Sequence, residues 1–290
     1  MAGEVEVAVA AAAELAEGPS WDARAQRLRW VDIEAGLVHT YCPVTGRDSS
    51  EDVGIAVGAV VPRRGGGLAL AIEDGFALSD GPADRLLRRH RVDEPDGNRM
   101  NDGKCDRDGR FFAGTMARDQ TPGAGALYRL DPDGRVERVR AGVTISNGLG
   151  WSPDGATMYY VDSPTHVILA FDYDRDTAAM TAERVLAELD PGEGMPDGLT
   201  VDAEGCLWVA RWGGARVDRI APDGRRVDTV RLPASHVTSC AFGGPELAEL
   251  YITTARMGLS DQESEEQPEA GHVFVCDPGV IGMPSHACAA

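Results

Sequence analysis

The sequence predicts an all-β fold, a six-bladed β-propeller with about four antiparallel strands per blade, and three observations predict it. Short segments rich in Val, Leu, Tyr, Trp and Phe alternate with turn signals along the chain, among them RLRWVDIE from Arg27, RFFAGTM from Arg110, TMYYVDS from Thr157, VILAFDYD from Val167 and CLWVARW from Cys206. Helical periodicity is almost absent. One local pattern also returns at intervals of roughly 40 to 50 residues, the spacing of propeller blades. In it a carboxylate or amide side chain precedes a Gly-containing apolar run that ends in a DG-type turn. Glu17 stands before GPSWD, Asn101 before DGKCDRDG, Asn147 before GLGWSPDG and Asp197 before GLTVDAEG.

Residues 1–290 are expected to form a single propeller domain, with 1–13 as a peripheral strand or tail. The first blade begins at GPSWD. A weaker copy, AVGAVVPRRGGGLALAIEDGFALSD, starts at Ala56. Full copies follow from Asn101, Ser146 and Asp197, each reading strand, turn, strand, small-residue connection, strand, turn. A sixth starts at Thr238 with TSCAFGGPELAELYITTA and resumes at AGHVFVCDPG. Between these two pieces GLSDQESEEQPEA, from Gly258, is acidic and loop-forming. It is expected to be a solvated rim loop, with a lid over the site as the alternative. The DG and EG pairs at Asp108, Asp133, Asp154, Glu204 and Asp223 resemble the start of a calcium loop but lack its later oxygens and closing Glu. Hairpin turns that need a positive φ explain them.

Composition narrows the class. An apolar share of 43% with 26% charged residues suits a globular chain with a sizeable core. The formal charge of -19 argues against nucleic acid and anionic membranes as partners, because both are bound through basic residues. Six cysteines are scattered singly, with no CxxC pair, and read as small buried residues in a reducing compartment. The alanine-rich N-terminus has acidic flanks and no basic region, and no run of about 18 apolar residues occurs. A cytoplasmic monomer or weak homo-oligomer is the expectation.

In a propeller the innermost strands run along a central channel, so equivalent ends of those strands ring one mouth. Glu17, Asn101, Asn147 and Asp197 each begin the first strand of a blade. Buried carboxylates crowded there would repel one another, and a bound divalent cation removes that conflict. All-oxygen donors favour Ca²⁺, Mg²⁺ or Mn²⁺, with Zn²⁺ and Fe²⁺ left open. Other catalytic grammars fail. The six histidines are isolated, no GxSxG elbow is present, and GEGMPDG from Gly192 lacks a dinucleotide-binding context.

The segments AEGPSWD, NRMNDGKCDRDGRFFAGTM, ISNGLGWSPDGATMYYVDS, MPDGLTVDAEGCLWVARWGG and PEAGHVFVCDPGVIGMP resemble the senescence marker protein, gluconolactonase and regucalcin family. The resemblance runs from about residue 14 to 284. It implies a six-bladed propeller that holds one divalent cation and hydrolyses a sugar lactone. Carried across, the family's metal ligands fall on Glu17, Asn147 and Asp197, and its substrate contacts on Arg99 and Asn101. A further acidic contact falls on Asp119, a shorter side chain than the Glu often found there. On this reading the cation polarises the lactone carbonyl and Asp197 is the proton acceptor. Because one fold and metal can serve several chemistries, another ester hydrolysis or a ring-opening or ring-forming reaction is an alternative, and the family also implies a non-catalytic calcium-binding regulator. An interaction scaffold is the remaining class. The blades at Ala56 and Thr238 lack the leading oxygen pattern, so the gap there is the expected way in for substrate.

Overall fold

The computed structural model describes residues 3–290 apart from positions 84 and 87. Among these residues the strands form six four-stranded antiparallel sheets. Blade 1 comprises Ala16–Asp22, Arg27–Asp32, Leu37–Cys42 and Arg47–Asp52, and blade 2 comprises Val57–Pro62, Leu68–Ile72, Gly75–Ser79 and Arg88–Arg91. Blade 3 runs through Asn98–Cys105, Phe111–Ala117, Gly125–Leu130 and Val136–Val143, and blade 4 through Ser146–Trp151, Thr157–Asp162, Val167–Asp174 and Ala179–Glu188. Blade 5 holds Met195–Val201, Leu207–Trp212, Arg216–Ile220 and Arg226–Arg231. Blade 6 takes Val237–Gly243, Glu249–Thr254 and Val273–Cys276, and borrows its outermost strand, Glu6–Val9, from the beginning of the chain.

That borrowed strand explains how the ring closes. Glu6 pairs with Val275 and Val7 with Phe274, so the first strand of the chain completes the last blade. Each innermost strand also packs against those of both neighbouring blades, which makes the ring continuous. The architecture is the six-bladed β-propeller.

Inner strands are covered on both faces, which is why they read as unbroken apolar runs rather than alternating ones. LALAI at Leu68–Ile72 is buried throughout, whereas RDSSED at the outer edge of blade 1 is mostly exposed. The core consists of layers between adjacent sheets. Phe112, Leu127, Tyr160 and Phe171 fill one between blades 3 and 4, and Trp21, Trp30, Tyr251 and Val273 fill one between blades 6 and 1.

Turn chemistry is as the sequence suggests. Gly109, Gly134, Gly155, Gly205 and Gly224, which follow the five acidic turn residues, all have positive φ, from 74° to 91°. The segment from Gly258 is not wholly a loop. It contains a six-residue helix, Asp261–Glu266, closed at its start by a capping box between Ser260 and Glu263. The six cysteines are buried and free, and among the described residues no helix is long and apolar enough to cross a membrane. After blade 6 the chain crosses the end of the channel where the innermost strands finish. Met283 N–H donates to Val201 O in blade 5, and Cys288 N–H donates to Pro62 O in blade 2.

Candidate metal centre at the channel mouth

Every innermost strand loses register with the next strand at the same height. The irregularities fall between Glu17 and Ser20, Val57 and Ala59, Met100 and Gly103, Asn147 and Leu149, Pro196 and Leu199, and Val237 and Ser239. A bulge bends a strand and re-aims a side chain, and six at one height form a ring.

A glycine at the bulge of four blades, after Glu17, Val57, Asn147 and Asp197, is the second half of that device. A Cβ on Gly58 would lie 2.2 Å from Asn101 O in the next blade, and one on Gly198 would lie 2.1 Å from Ser239 Oγ. At Gly148 the backbone itself is left-handed, φ +25°, and a Cβ would meet Asp197 O at 2.7 Å. Strands can crowd the axis this closely only where there is no side chain.

The upper mouth, where the innermost strands begin, holds a cavity of about 120 Å³. Glu17, Asn147, Asp197, Arg99 and Asn101 all line it, together with Gln120 and Ser163. All five are buried, 3 to 5% exposed. Two of the carrying strands are held by a matching clasp. Asp32 accepts the Glu14 and Leu15 N–H groups ahead of Glu17, and Asp162 accepts the Thr144 and Ile145 N–H groups ahead of Asn147.

A chain of hydrogen bonds orients the amides. Ser163 Oγ receives Asn147 Nδ2–H at 2.9 Å, which turns the Asn147 Oδ1 toward the cavity side. That oxygen accepts from Asn101 Nδ2 at 3.0 Å, and Asn101 Oδ1 accepts from Arg99 Nη1 at 2.6 Å. Arg99 Nε in turn donates to Glu34 Oε1 at 2.9 Å, and Arg118 donates to the other oxygen of Glu34. Asn101 thus links the arginine at the rim to Asn147.

The acids are not neutralised in this way. Glu17 Oε2 accepts only the neighbouring Gly18 N–H, and Asp197 Oδ1 is buried without a partner. Burial, then the Asp102 carboxylate, pushes the Glu17 pKa up to about 8, against the Gly18 N–H and the positive charges of Arg99 and Lys104. Burial followed by the Glu17 and Asp102 charges holds Asp197 well above the usual carboxylate range. Two acids that resist ionisation, one of them with an orphaned buried oxygen, and an amide oxygen line one cavity, and oxygen donors of this kind suit a hard cation. The residues present fit a divalent ion.

Asp119 lies elsewhere. It is exposed, its Oδ1 accepts the Thr121 N–H and hydroxyl, and it is not part of the cavity wall. The following residue, Gln120, does line the cavity, from a backbone with φ 57°. Among the described residues none from blade 2 lines it.

Two residues that the sequence reading passed over belong to the same channel. Asp102 is 4% exposed, and its Oδ2 has no partner. Lys104 sends its ammonium to Leu199 O, on the innermost strand of blade 5. The signal for Asp102 was available. Glu17, Asn147 and Asp197 are each followed by glycine, whereas Asn101 is followed by an acid. Ser163, which orients Asn147, carried no comparable signal.

Fold and site together define the class, a six-bladed propeller with a buried oxygen-donor centre at one mouth of its channel. The chain belongs to the family described as the SMP-30/Gluconolactonase/LRE-like region, whose pattern matches residues 15–256. It is 41% identical to regucalcin of Danio rerio over 288 residues, covering 98% of each chain. Its structure is similar to that of a luciferin-regenerating enzyme, with 34% identity, a TM-score of 0.91, and 99% of this chain and 100% of the other covered. It is also similar to a calcium-binding regucalcin of Agrobacterium tumefaciens, with 29% identity, a TM-score of 0.94, and 98% and 97% covered.

Proposed function

We propose that the protein is a divalent-metal-dependent hydrolase that opens a sugar lactone to its aldonic acid. The observation that carries this reading is the pairing of Glu17 with Asp197, whose Oδ1 has no partner, in a cavity that also presents Arg99 and Asn101. Gluconolactonase is part of the name of the family to which the chain belongs.

Glu17, Asn147 Oδ1 and Asp197 would hold the cation. A bound divalent ion supplies Lewis-acid polarisation of a carbonyl oxygen and acidifies water. The chain's own residues supply the rest. Asp197 takes a proton from the water that attacks the acyl carbon, and later returns it to the ring oxygen as the acyl–oxygen bond breaks. In the metal-free chain, burial and its acidic neighbours raise its proton affinity. Arg99 and Asn101 face the cavity where hydroxyl groups of the sugar would lie, with Asn101 also holding Asn147 in place. Glu34 fixes the Arg99 guanidinium from outside the cavity.

A second reading, calcium binding without turnover, is favoured by the all-oxygen donor set and by the name of the Agrobacterium relative. A panel of aldonolactones separates the two. The hydrolase reading expects hydrolysis that a chelator abolishes and one metal restores. A rate equal to the spontaneous background with every lactone and metal, in a protein that still binds calcium, leaves the binding reading.

A further inference from the structure

Lys104 is the only lysine in the chain, one among 28 Lys and Arg residues, and it lies in the central channel. Its surroundings follow from the register of the six innermost strands. Level with Glu17, Asn147 and Asp197 stand the remaining first-layer residues, Val57, Asn101 and Thr238. One residue further along, Gly18, Gly58, Gly148 and Gly198 leave the axis bare, Ser239 places a hydroxyl there, and blade 3 places the Asp102 carboxylate. Two residues beyond Asp102, Lys104 is the long side chain in a layer otherwise built from Ser20, Val60, Gly150, Thr200 and Ala241.

Its ammonium crosses from blade 3 to the Leu199 carbonyl in blade 5, two residues past Asp197 on the same strand. Asp102 accepts only its own neighbour's N–H, Gly103, and its other oxygen is unpartnered. Between its two mouths the channel therefore contains three buried acids, Glu17, Asp102 and Asp197, and one half-buried ammonium. Arg99, at the rim, is already engaged by Glu34. With the acids ionised, their charges and that of the ammonium leave two negative charges, the complement of one divalent ion. A chain that uses arginine everywhere else keeps a compact point charge here, where a planar guanidinium would need several acceptors at once.

We propose that Lys104 and Asp102 together set the charge of the Glu17–Asn147–Asp197 centre, and so fix how strongly it discriminates between a divalent ion and a trivalent one of the same size. The proposal rests on the metal-binding reading given above. Lys104 acts here as a positioning residue for charge. Its ammonium bonds to Leu199 O and not to Glu17, Asn147 or Asp197.

Tb³⁺ and Ca²⁺ have nearly the same radius, so the ratio of their affinities isolates charge. That ratio is measured by calorimetric titration of the chelator-stripped full chain. Lys104→Met should raise the Tb³⁺ to Ca²⁺ ratio about tenfold, and Asp102→Asn should lower it by about as much, since one unit charge acts more strongly on three than on two in a buried site. The double variant D102N/K104M should return the ratio to within about threefold of wild type. If Lys104→Met does not fold, Asp102→Asn, which leaves the ammonium on Leu199 O, still tests the direction. Ratios that stay within about twofold of wild type in the folded single variants, or that move the same way in both, overturn the proposal. A wild-type chain that binds neither ion overturns the metal reading itself. Binding of both ions with unchanged ratios overturns this inference alone.

Discussion

The two mouths of the channel differ in what their charges do. The lower one, where the innermost strands end, opens into a cavity of about 350 Å³, larger than the 120 Å³ of the upper. Its acids are already satisfied. Asp106 accepts from Arg110 and from the Tyr173 hydroxyl at 2.7 Å, and Asp108 pairs with Arg175. The unpartnered groups in its wall, Trp151 Nε1 and Arg175 Nε, are donors. At the upper mouth the unpartnered group is an acceptor, Asp197 Oδ1, beside a second acid. Cavity size does not set the upper mouth apart. Uncompensated negative charge does, because such a site is stable only with a proton or a cation in it.

The sharpest way to break this contrast is to neutralise each mouth in turn. Asp197→Asn or Glu17→Gln should abolish divalent-ion binding and lower lactone turnover by about 10²-fold or more, whereas Arg175→Met at the lower mouth should leave both unchanged. Calorimetry and a lactone hydrolysis assay check these outcomes, and equal effects at the two mouths would erase the distinction.

Ser163→Ala should come next. It frees the Asn147 amide to rotate, and should weaken metal binding about 10- to 100-fold, in line with other groups that orient a ligand. Ser163→Thr, which keeps the hydroxyl, should restore much of the loss.

Steric relief of the axis is testable through stability. Gly58→Ala places a Cβ against Asn101 O and should lower unfolding stability by about 1 to 3 kcal/mol in urea titration. Gly46→Ala, at a left-handed turn with open space around it, should cost less.

The last expected effect is a slope with pH. In the metal-free chain Glu17 holds its proton up to about 8, while in the unfolded chain it releases it near 4.5. The folded form therefore binds the extra proton between these values, and stability should fall as pH rises through that window. Asp197 pulls in the same direction. With metal bound the slope should flatten, and binding should release protons and tighten as pH rises. Thermal melts from pH 5 to 8, with chelator and with metal, check the sign.

Much of the fold was legible because blade repetition leaves repeated marks. Turn glycines, doubly buried inner strands and the polar residue before Gly18, Gly148 and Gly198 all recur. The helix at Asp261–Glu266 was less visible, since six residues, stabilised by Ser260 and Glu263, are too few to show a period. At the site, Glu17, Asn101, Asn147 and Asp197, read from their place in the repeat, line one cavity because equivalent bulges bring them to one height, and Arg99, named only through the family resemblance, lines it too. Asp119 does not join them. The turn that follows its strand faces Gln120 inward and ties the Asp119 carboxylate to Thr121, a local choice that alignment to a motif does not reveal. The Lys104 contact with Leu199 spans 95 residues and two blades, and only the closed ring brings the two together.

The most direct test of the upper mouth is to follow metal binding and lactone hydrolysis in the same titration of chelator-stripped protein. One equivalent of a divalent ion should bind, and hydrolysis should rise with the same half-saturation in wild type and be absent in Asp197→Asn. Hydrolysis that persists in chelator, or an ion that binds Asp197→Asn as tightly as wild type, would contradict a metal centre at Glu17, Asn147 and Asp197.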